Sequence, residues 1–290
     1  MRTHDVLAEH TAAGRAFTAD GVASFVREQG DASADPVICV HGVPMSSFLW
    51  RRTLPELAAR GLRGIALDLP GLGLAARPEG FDYSWTGLGR WLAAAVDALG
   101  IDRYHLLVHD IGGPVGFELA AAHRDRVRSL LVLNTIGDVD RFRRPWFMQP
   151  YAMAGLGPAW LASTTPAVFR GLMYTVGVKD RSAISGPEID AHVRLLKRDD
   201  GGAAFLRVMR GFERTPAKGE LYRRVLRDGP YPVGILWGAD DPSLTPSREG
   251  EQIRLAAGLP DVPTVPGRHF LPEEQPAAIA EHVAALAARR

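Results

Sequence analysis

Short apolar runs alternate with amphipathic or alanine-rich stretches along much of the chain. Runs rich in β-branched and other apolar residues predict six strands, at residues 37–40, 64–67, 105–108, 129–133, 233–237 and 262–265. Between them, helical patterns occupy residues 48–60, 86–99, 116–123, 248–257 and 277–288. Repeated alternation of strand and helix is typical of a parallel sheet with helices on both faces, so we expect an α/β fold.

The alternation stops between about Thr135 and Thr215. In this segment helical pieces follow one another without a strand, and Pro, Trp, Met and Arg accumulate at residues 144–148. Because a structureless loop of this length is improbable in a compact protein, we interpret residues 136–215 as a helical cap. The cap is inserted into a core domain formed by residues 1–135 and 216–290. Ligands of such sheets bind at the carboxyl ends of the strands, where a cap can close over them.

The composition is that of an ordinary soluble globular protein. The chain has 34 Lys and Arg against 33 Asp and Glu, which leaves a formal net charge of +1 and no footprint for nucleic acid. We interpret the run containing Arg141, Arg143 and Arg144 as a solvated face. No stretch of about 18 apolar residues and no apolar signal segment is found, so we expect a cytoplasmic protein without membrane association. The single cysteine, Cys39, excludes an intrachain disulfide and predicts a buried thiol.

The segment from His105 to Gly116 carries the strongest chemical signal. An apolar strand runs into a tight turn with glycines on its far side and then into a helix, which is the setting of a nucleophile elbow, usually Gly-x-Ser-x-Gly. Asp110 stands where the serine would be. A carboxylate is already ionised at neutral pH, so it attacks without a base. Attack on a saturated carbon would give an ordinary ester that a base-activated water can cleave, whereas the missing serine disfavours esterase or lactonase chemistry.

Two later stretches supply an acid and a histidine in the chain order nucleophile, acid, histidine. Asp241 ends a predicted strand just before a turn-forming proline, and we prefer it to the adjacent Asp240 as the acid. His269 lies in a loop after the last predicted strand. The turn His41-Gly42-Val43-Pro44 follows the first predicted strand, and its backbone N–H groups are placed to help form an oxyanion hole. We assign the turn and Ile111 to substrate or oxyanion positions.

With Asp68-Leu69-Pro70-Gly71 after the next strand, these motifs make the chain resemble the α/β-hydrolase superfamily, and within it the haloalkane dehalogenase and epoxide hydrolase branch. The resemblance covers almost the whole chain from about Gly14. It implies an alkyl ester on Asp110, hydrolysed by water that His269 deprotonates while Asp241 orients the imidazole. The expected partners are a small-molecule substrate and water. No residue cluster indicates a metal ion, and the glycines of the elbow do not form a dinucleotide-binding motif, so we expect no cofactor.

The two branches of this family stabilise different leaving groups. Haloalkane dehalogenases usually carry Trp directly after the nucleophile and often Asn at the third position of the His-Gly-x-Pro turn, but here these positions hold Ile111 and Val43. Halide ligands would therefore have to come from the cap. Trp146 and Trp160 are the candidates, although aromatic residues more often form the apolar lining of a pocket.

Epoxide hydrolases usually draw one or two tyrosines from the cap to protonate the alkoxide. Tyr151 stands about where the first is expected, and Tyr174 or His192 could be the second. Epoxide hydrolysis to a diol is therefore the preferred prediction, and dehalogenation on the same triad is the alternative. A further alternative is a receptor-like binder on a hydrolase scaffold, which an intact triad disfavours. The size and stereochemistry of the substrate and the oligomeric state stay open.

Overall fold

A computed structural model describes residues 2–289, which fold around one eight-stranded sheet. In chain order the strands are β1 (Gly14–Ala19), β2 (Val22–Gln29), β3 (Asp35–Val40), β4 (Leu62–Leu67), β5 (Tyr104–Asp110), β6 (Val127–Thr135), β7 (Val233–Gly238) and β8 (Thr264–Val265). Their order in the sheet is β1-β2-β4-β3-β5-β6-β7-β8. β1 pairs antiparallel with β2 and β2 with β4, whereas the other neighbours are parallel. The predicted α/β fold is confirmed.

The central strands are buried on both faces of the sheet. Along β5, Leu106 and Val108 pack into one apolar cluster, while Leu107 packs into the cluster on the opposite face. Burial on both faces explains why these strands have near-continuous apolar sequences. Cys39 on β3 is fully buried, as its apolar surroundings predict, and burial raises the pKa of its thiol.

Helices cover both faces of the sheet. They are α1 (Thr3–Ala12), α2 (Thr53–Ala58), α3 (Trp85–Ala98), α4 (Gly112–Ala122), α5 (Gly157–Ser163), α6 (Pro166–Leu172), α7 (Gly186–Lys197), α8 (Ala203–Arg210), α9 (Pro216–Asp228), α10 (Glu251–Ala257), α11 (Leu271–Glu274) and α12 (Pro276–Ala287). The helix predicted from residue 116 in fact begins at Gly112. A side chain at Gly112 would overlap the β3 backbone, so close packing outweighs the low helix propensity of glycine there.

The connection between β6 and β7 contains α5 to α9 and, within the described residues, no strand. Its α7 is tied to the rest of the chain by ion pairs, because Arg51 lies 2.7 Å from Glu188 on α7 and 2.6 Å from the buried Glu273 on α11. The division into a core and a cap at residues 136–215 stays a prediction. None of the helices between residues 2 and 289 has both the length and the apolar character needed to cross a membrane.

Candidate active site

Asp110 ends β5 in a strained turn. Its φ angle is +55°, a left-handed conformation that non-glycine residues seldom adopt and that often occurs at functional turns. Small neighbours make room for this turn, since a Cβ at Gly42 would overlap the Asp110 carboxyl group and one at Gly113 would overlap Thr135. The Thr135 hydroxyl donates to the Asp110 carbonyl oxygen at 2.5 Å. The sequence and the packing therefore fix Asp110 at the start of α4, whose positive end favours a carboxylate.

The predicted oxyanion turn lies directly against this carboxylate. The backbone N–H of Val43 donates to Asp110 Oδ1 at 2.8 Å. Val43 and Ile111 both line the cavity that Asp110 also lines. The amide of Val43 therefore orients one oxygen of Asp110 and is placed to stabilise negative charge that develops on it.

His41 does not line the cavity, which corrects its assignment to the substrate or oxyanion residues. Its imidazole is fully buried. Nε2 accepts a hydrogen bond from the Leu69 backbone at 3.1 Å, so Nδ1 carries the proton and donates to the Gly42 carbonyl at 2.9 Å. Burial lowers the pKa of His41, which keeps the ring neutral. His41 thus ties the turn after β3 to the turn after β4.

Asp110, His269 and Asp241 meet at the carboxyl ends of three strands, as the sequence predicts. His269 Nδ1 lies 2.9 Å from Asp241 Oδ2, and His269 Nε2 lies 3.6 Å from Asp110 Oδ2. The alternative acid, Asp240, faces solvent and pairs with Lys179 at 2.7 Å. The geometry therefore selects Asp241 as the partner of His269.

Asn134 is a further part of this cluster that sequence reasoning missed. At the end of β6 its side-chain N–H donates to Asp241 Oδ2 at 2.7 Å, and its side-chain oxygen accepts from the Gly238 backbone at 3.1 Å. Asp241 Oδ1 also accepts backbone N–H bonds from Ser243 and Leu244, at 2.8 and 3.0 Å. The buried carboxylate is thereby satisfied on both oxygens. The available signal was a polar residue closing an apolar strand at the edge where the triad assembles.

His109, the residue before Asp110, holds the histidine loop in place. Its Nε2 donates to the His269 carbonyl oxygen at 2.8 Å, and the two rings lie 4.8 Å apart between centroids. Burial lowers the pKa of His109 to about 4, so the imidazole is neutral at physiological pH. One strand end therefore positions both Asp110 and, through His109, the backbone of His269.

The charges around His269 determine its protonation. Burial alone would lower the pKa of His269, but the charges and hydrogen bonds of Asp241 and Asp110 outweigh burial and raise it to about 10. Burial would likewise raise the pKa of Asp241, yet His269 and Asn134 hold it below its ordinary value. The resting site therefore holds an imidazolium between two carboxylates. Removing the charge of Asp110 would lower the pKa of His269 and convert it toward a base.

The cavity above Asp110 is mostly apolar. Besides Asp110 and His269, its polar lining residues are Arg144, Tyr151, Thr164 and Ser243. The remaining lining includes Phe142, Phe147, Met148, Phe169, Met173, Phe205, Met209 and Phe212. Such a lining suits a small, largely hydrophobic molecule.

Tyr151 lines the cavity as predicted, and its hydroxyl is hydrogen bonded within the wall. It lies 2.6 Å from Thr164 Oγ1, and that threonine hydroxyl donates to the Trp160 carbonyl at 3.1 Å. The Tyr151 proton therefore points to Thr164 in this arrangement. Burial raises the pKa of Tyr151, so the phenol is protonated at neutral pH.

Several other predicted cap residues do not face the cavity. Trp146 is 79% exposed, because its neighbours Pro145 and Phe147 occupy the inward positions of the loop. Trp160 donates its indole N–H to the Phe147 carbonyl at 3.2 Å and does not line the cavity either. The assignment of Trp146 to the substrate residues is corrected, and no tryptophan, asparagine or glutamine lines the cavity within residues 2–289.

The candidates for a second proton donor are also displaced from the cavity. Tyr174 lies in a short π-helical turn (Met173–Gly177) and directs its hydroxyl to the Ile184 carbonyl at 3.5 Å. His192 is buried with Nε2 3.2 Å from Glu273. Neither lines the cavity, whereas Arg144, which the charge pattern assigned to a solvated face, does.

Comparison with known proteins shows which family this fold belongs to. A family model described as alpha/beta hydrolase fold matches residues 35–276. Haloalkane dehalogenase 2 of Mycobacterium tuberculosis is 30% identical over 86% of this chain and 87% of its own length. The crystal structure of haloalkane dehalogenase DbeA from Bradyrhizobium elkani has a TM-score of 0.79 at 24% identity, covering 95% of this chain and 97% of that one.

An epoxide hydrolase structure is also among the neighbours. Epoxide hydrolase CorEH has a TM-score of 0.75 at 20% identity, covering 94% of this chain and 97% of its own. At this identity the likeness concerns the fold. The match to the family model over most of the chain, with the aspartate elbow and its histidine and acid partners, shows that this protein is a hydrolase belonging to the α/β-hydrolase fold family.

Proposed function

We propose that the protein hydrolyses epoxides to diols through an ester on Asp110. The observation that carries the proposal is Tyr151, a protonated phenol that lines the same cavity as Asp110. Opening an epoxide creates an alkoxide, which needs a proton donor on the side of the ring away from the attacking carboxylate. Tyr151 supplies a proton donor, and among residues 2–289 the cavity lining contains no tryptophan or asparagine side chain of the kind that usually holds a halide.

In the first step an oxygen of Asp110 attacks an epoxide carbon and the carbon–oxygen bond of the ring breaks. The alkoxide takes the proton of Tyr151, which Thr164 stabilises as a phenolate by rotating its hydroxyl toward it. Esterification removes the negative charge of Asp110, so the pKa of His269 falls from its resting value. Its proton then passes to the phenolate, which leaves neutral histidine beside a neutral ester.

In the second step the neutral His269 takes a proton from water, and the resulting hydroxide attacks the ester carbonyl carbon of Asp110. The Val43 amide, which donates to Asp110 Oδ1 at 2.8 Å, stabilises the oxyanion. As this intermediate collapses, the acyl carbon–oxygen bond of the ester breaks, and the departing alkoxide takes the proton of the hydroxyl group that water supplied. The diol is released, and Asp110 is left as a carboxylate beside the His269 imidazolium. Over the cycle one water is added to one epoxide and every proton is returned.

Dehalogenation on the same residues is the second candidate. It is favoured by the 30% identity to a protein named haloalkane dehalogenase. Dehalogenation would also form an ester on Asp110, but it needs N–H donors that stabilise the departing halide and no proton donor for the leaving group. Among the lining residues, these donors would have to come from the Val43 and Ile111 backbone or from the Arg144 guanidinium.

A substrate panel combined with one variant separates the two candidates. Purified protein is incubated with terminal and internal epoxides and with haloalkanes, and diol formation and halide release are measured. Tyr151→Phe is expected to lower turnover of epoxides by about 10²-fold or more, because it removes the general acid, and to leave halide displacement much less affected. Tyr174→Phe is the matched control, since Tyr174 does not line the cavity. Halide release without diol formation would reverse the assignment.

A further inference from the structure

One positively charged side chain from the loop after β6 reaches the cavity. Arg144 lines the same space as Asp110 and is the only lysine or arginine among the lining residues of the described chain. Most of the surrounding lining is aromatic or aliphatic. A permanent cation in such surroundings calls for a compensating group.

The protein provides Arg144 with little compensation. One guanidinium nitrogen donates to the Met209 carbonyl at 2.6 Å, and the guanidinium carbon lies 4.4 Å from the centre of the Phe212 ring. The buried Nε has no hydrogen-bond partner. Within residues 2–289 no carboxylate lies within 4.0 Å of Arg144, whereas Arg51 pairs with Glu188 and Glu273. An arginine has five N–H donors, and none of those of Arg144 has an acceptor of opposite charge within 4.0 Å among the described residues.

The neighbouring charges increase this imbalance. Burial, and secondarily the charge of Arg214, lowers the pKa of Arg144 to about 10, so the side chain is still charged at neutral pH. Arg214 itself donates to the Phe142 carbonyl at 3.3 Å. An anion that entered the cavity would therefore meet an uncompensated positive potential on this wall.

We propose that Arg144 binds an anionic group of the substrate, a carboxylate, so that the preferred substrates are acids with an apolar body and a reactive carbon at the other end. The planar guanidinium matches a carboxylate, and such charge-assisted pairs are the stronger class of hydrogen bond. The apolar lining accommodates the body while Asp110 receives the reactive carbon. This inference rests on the proposed function for the identity of that carbon, but the recognition of the anion can be tested without turnover.

Equilibrium binding tests the recognition directly. Phenylbutyrate and phenylbutanamide have the same shape and differ in charge, and their affinities for the full chain are compared by calorimetry. The wild type is expected to bind the acid more tightly, and Arg144→Met is expected to reduce the ratio of acid to amide affinity by about 10- to 100-fold. Arg144→Lys keeps part of the ratio. Arg143→Met, which changes the exposed neighbour, keeps all of it.

Turnover of a matched pair connects recognition to chemistry. In the wild type, kcat/KM should be higher for para-oxiranylbenzoate than for its methyl ester. In Arg144→Met this preference should be lost, mainly because the KM for the acid rises. A role of Arg144 confined to holding Met209 and Phe212 would lower both rates equally, and this outcome overturns the inference. Equal affinity of the wild type for the acid and the amide would also overturn the inference, and this measurement does not depend on the folding of any variant. If the acid is preferred in binding but no epoxide reacts, the proposed function fails and the anion site stands.

Discussion

Replacing His269 with glutamine should stop the proposed reaction at the ester. Asp110 is oriented by the Val43 amide and needs no base, so its attack on substrate should survive. The second half-reaction loses its base, which contributes about 10²- to 10⁴-fold. With turnover on the order of 10 s⁻¹ in the wild type, the ester in the variant should have a lifetime of about 10 s to about 17 min. Buried Asp241 keeps three N–H donors, from Asn134, Ser243 and Leu244, so the fold should tolerate the change.

Intact-protein mass spectrometry after acid quenching measures this ester. An epoxide adds its whole mass, because ring opening expels nothing, whereas a haloalkane adds its mass less that of the hydrogen halide. Trypsin should place the adduct on the peptide of residues 104–124, which contains Asp110. The control is His282→Gln, a histidine on α12 that does not line the cavity. It should turn over substrate and accumulate no adduct.

Two results would refute this reasoning. The first is a folded His269→Gln protein that forms no adduct with any epoxide or haloalkane that the wild type converts. The second comes from a single turnover of the wild type in ¹⁸O-labelled water. Attack of water on the ester carbonyl places the label in Asp110, whereas direct attack of water on the substrate places it in the diol alone, and the latter would exclude Asp110 as the nucleophile.

Three further predictions concern the groups around this cluster. Gly42→Ala should abolish turnover while the protein stays folded by circular dichroism, because the added Cβ overlaps the Asp110 carboxyl group; near-normal kcat would contradict the packing. Asn134→Ala should reduce transition-state stabilisation, measured from kcat/KM, by about 1.5–3 kcal/mol, the range for a hydrogen bond to a charged group. Asn134→Ser should have a smaller effect if the hydrogen bond to Asp241 is the cause. By NMR, His269 should titrate near pH 10, and Asp110→Asn should lower that pKa because one of the two carboxylates is gone. Since the folded-state pKa of His269 exceeds the unfolded value of about 6.5, the stability that His269 contributes is complete below pH 6.5 and is lost as the pH rises toward 10. A pKa of His269 near 6.5 in the free protein would contradict its ion pairs with Asp110 and Asp241.

The parts of the site that lie on strands followed by tight turns could be predicted from the sequence. Apolar runs mark the strands, and the carboxyl ends of parallel strands lie at the same edge of the sheet. Asp110, Asp241 and His269, which follow three such strands, could therefore be placed together without coordinates. Strands β1 and β2 were not predicted. β1 lies at the exposed edge of the sheet, where polar residues are tolerated, and only its Ala19 is buried.

The orientation of side chains in the segment after β6 could not be predicted in the same way. Irregular backbone has no period, so nothing in the sequence distinguishes outward-facing Trp146 from inward-facing Phe147. Arg144 faces the cavity although it lies within a run of basic residues that resembles a solvated face. The role of Asn134 depends on Asp241, 107 residues further along the chain, a separation that local patterns do not report.

The positive φ angles of Asp110 and Asn134 have a consequence for anyone who engineers this protein. A left-handed backbone costs most residues with a Cβ on the order of 1–2 kcal/mol, and aspartate and asparagine less; glycine would remove the cost at both positions. Directed evolution for heat resistance alone would therefore favour substitution of two residues on which the proposed chemistry depends. A library screened only for folding should yield variants at positions 110 and 134 that are more thermostable but inactive. Engineering for thermostability therefore needs to keep both residues fixed or to select for turnover in every round.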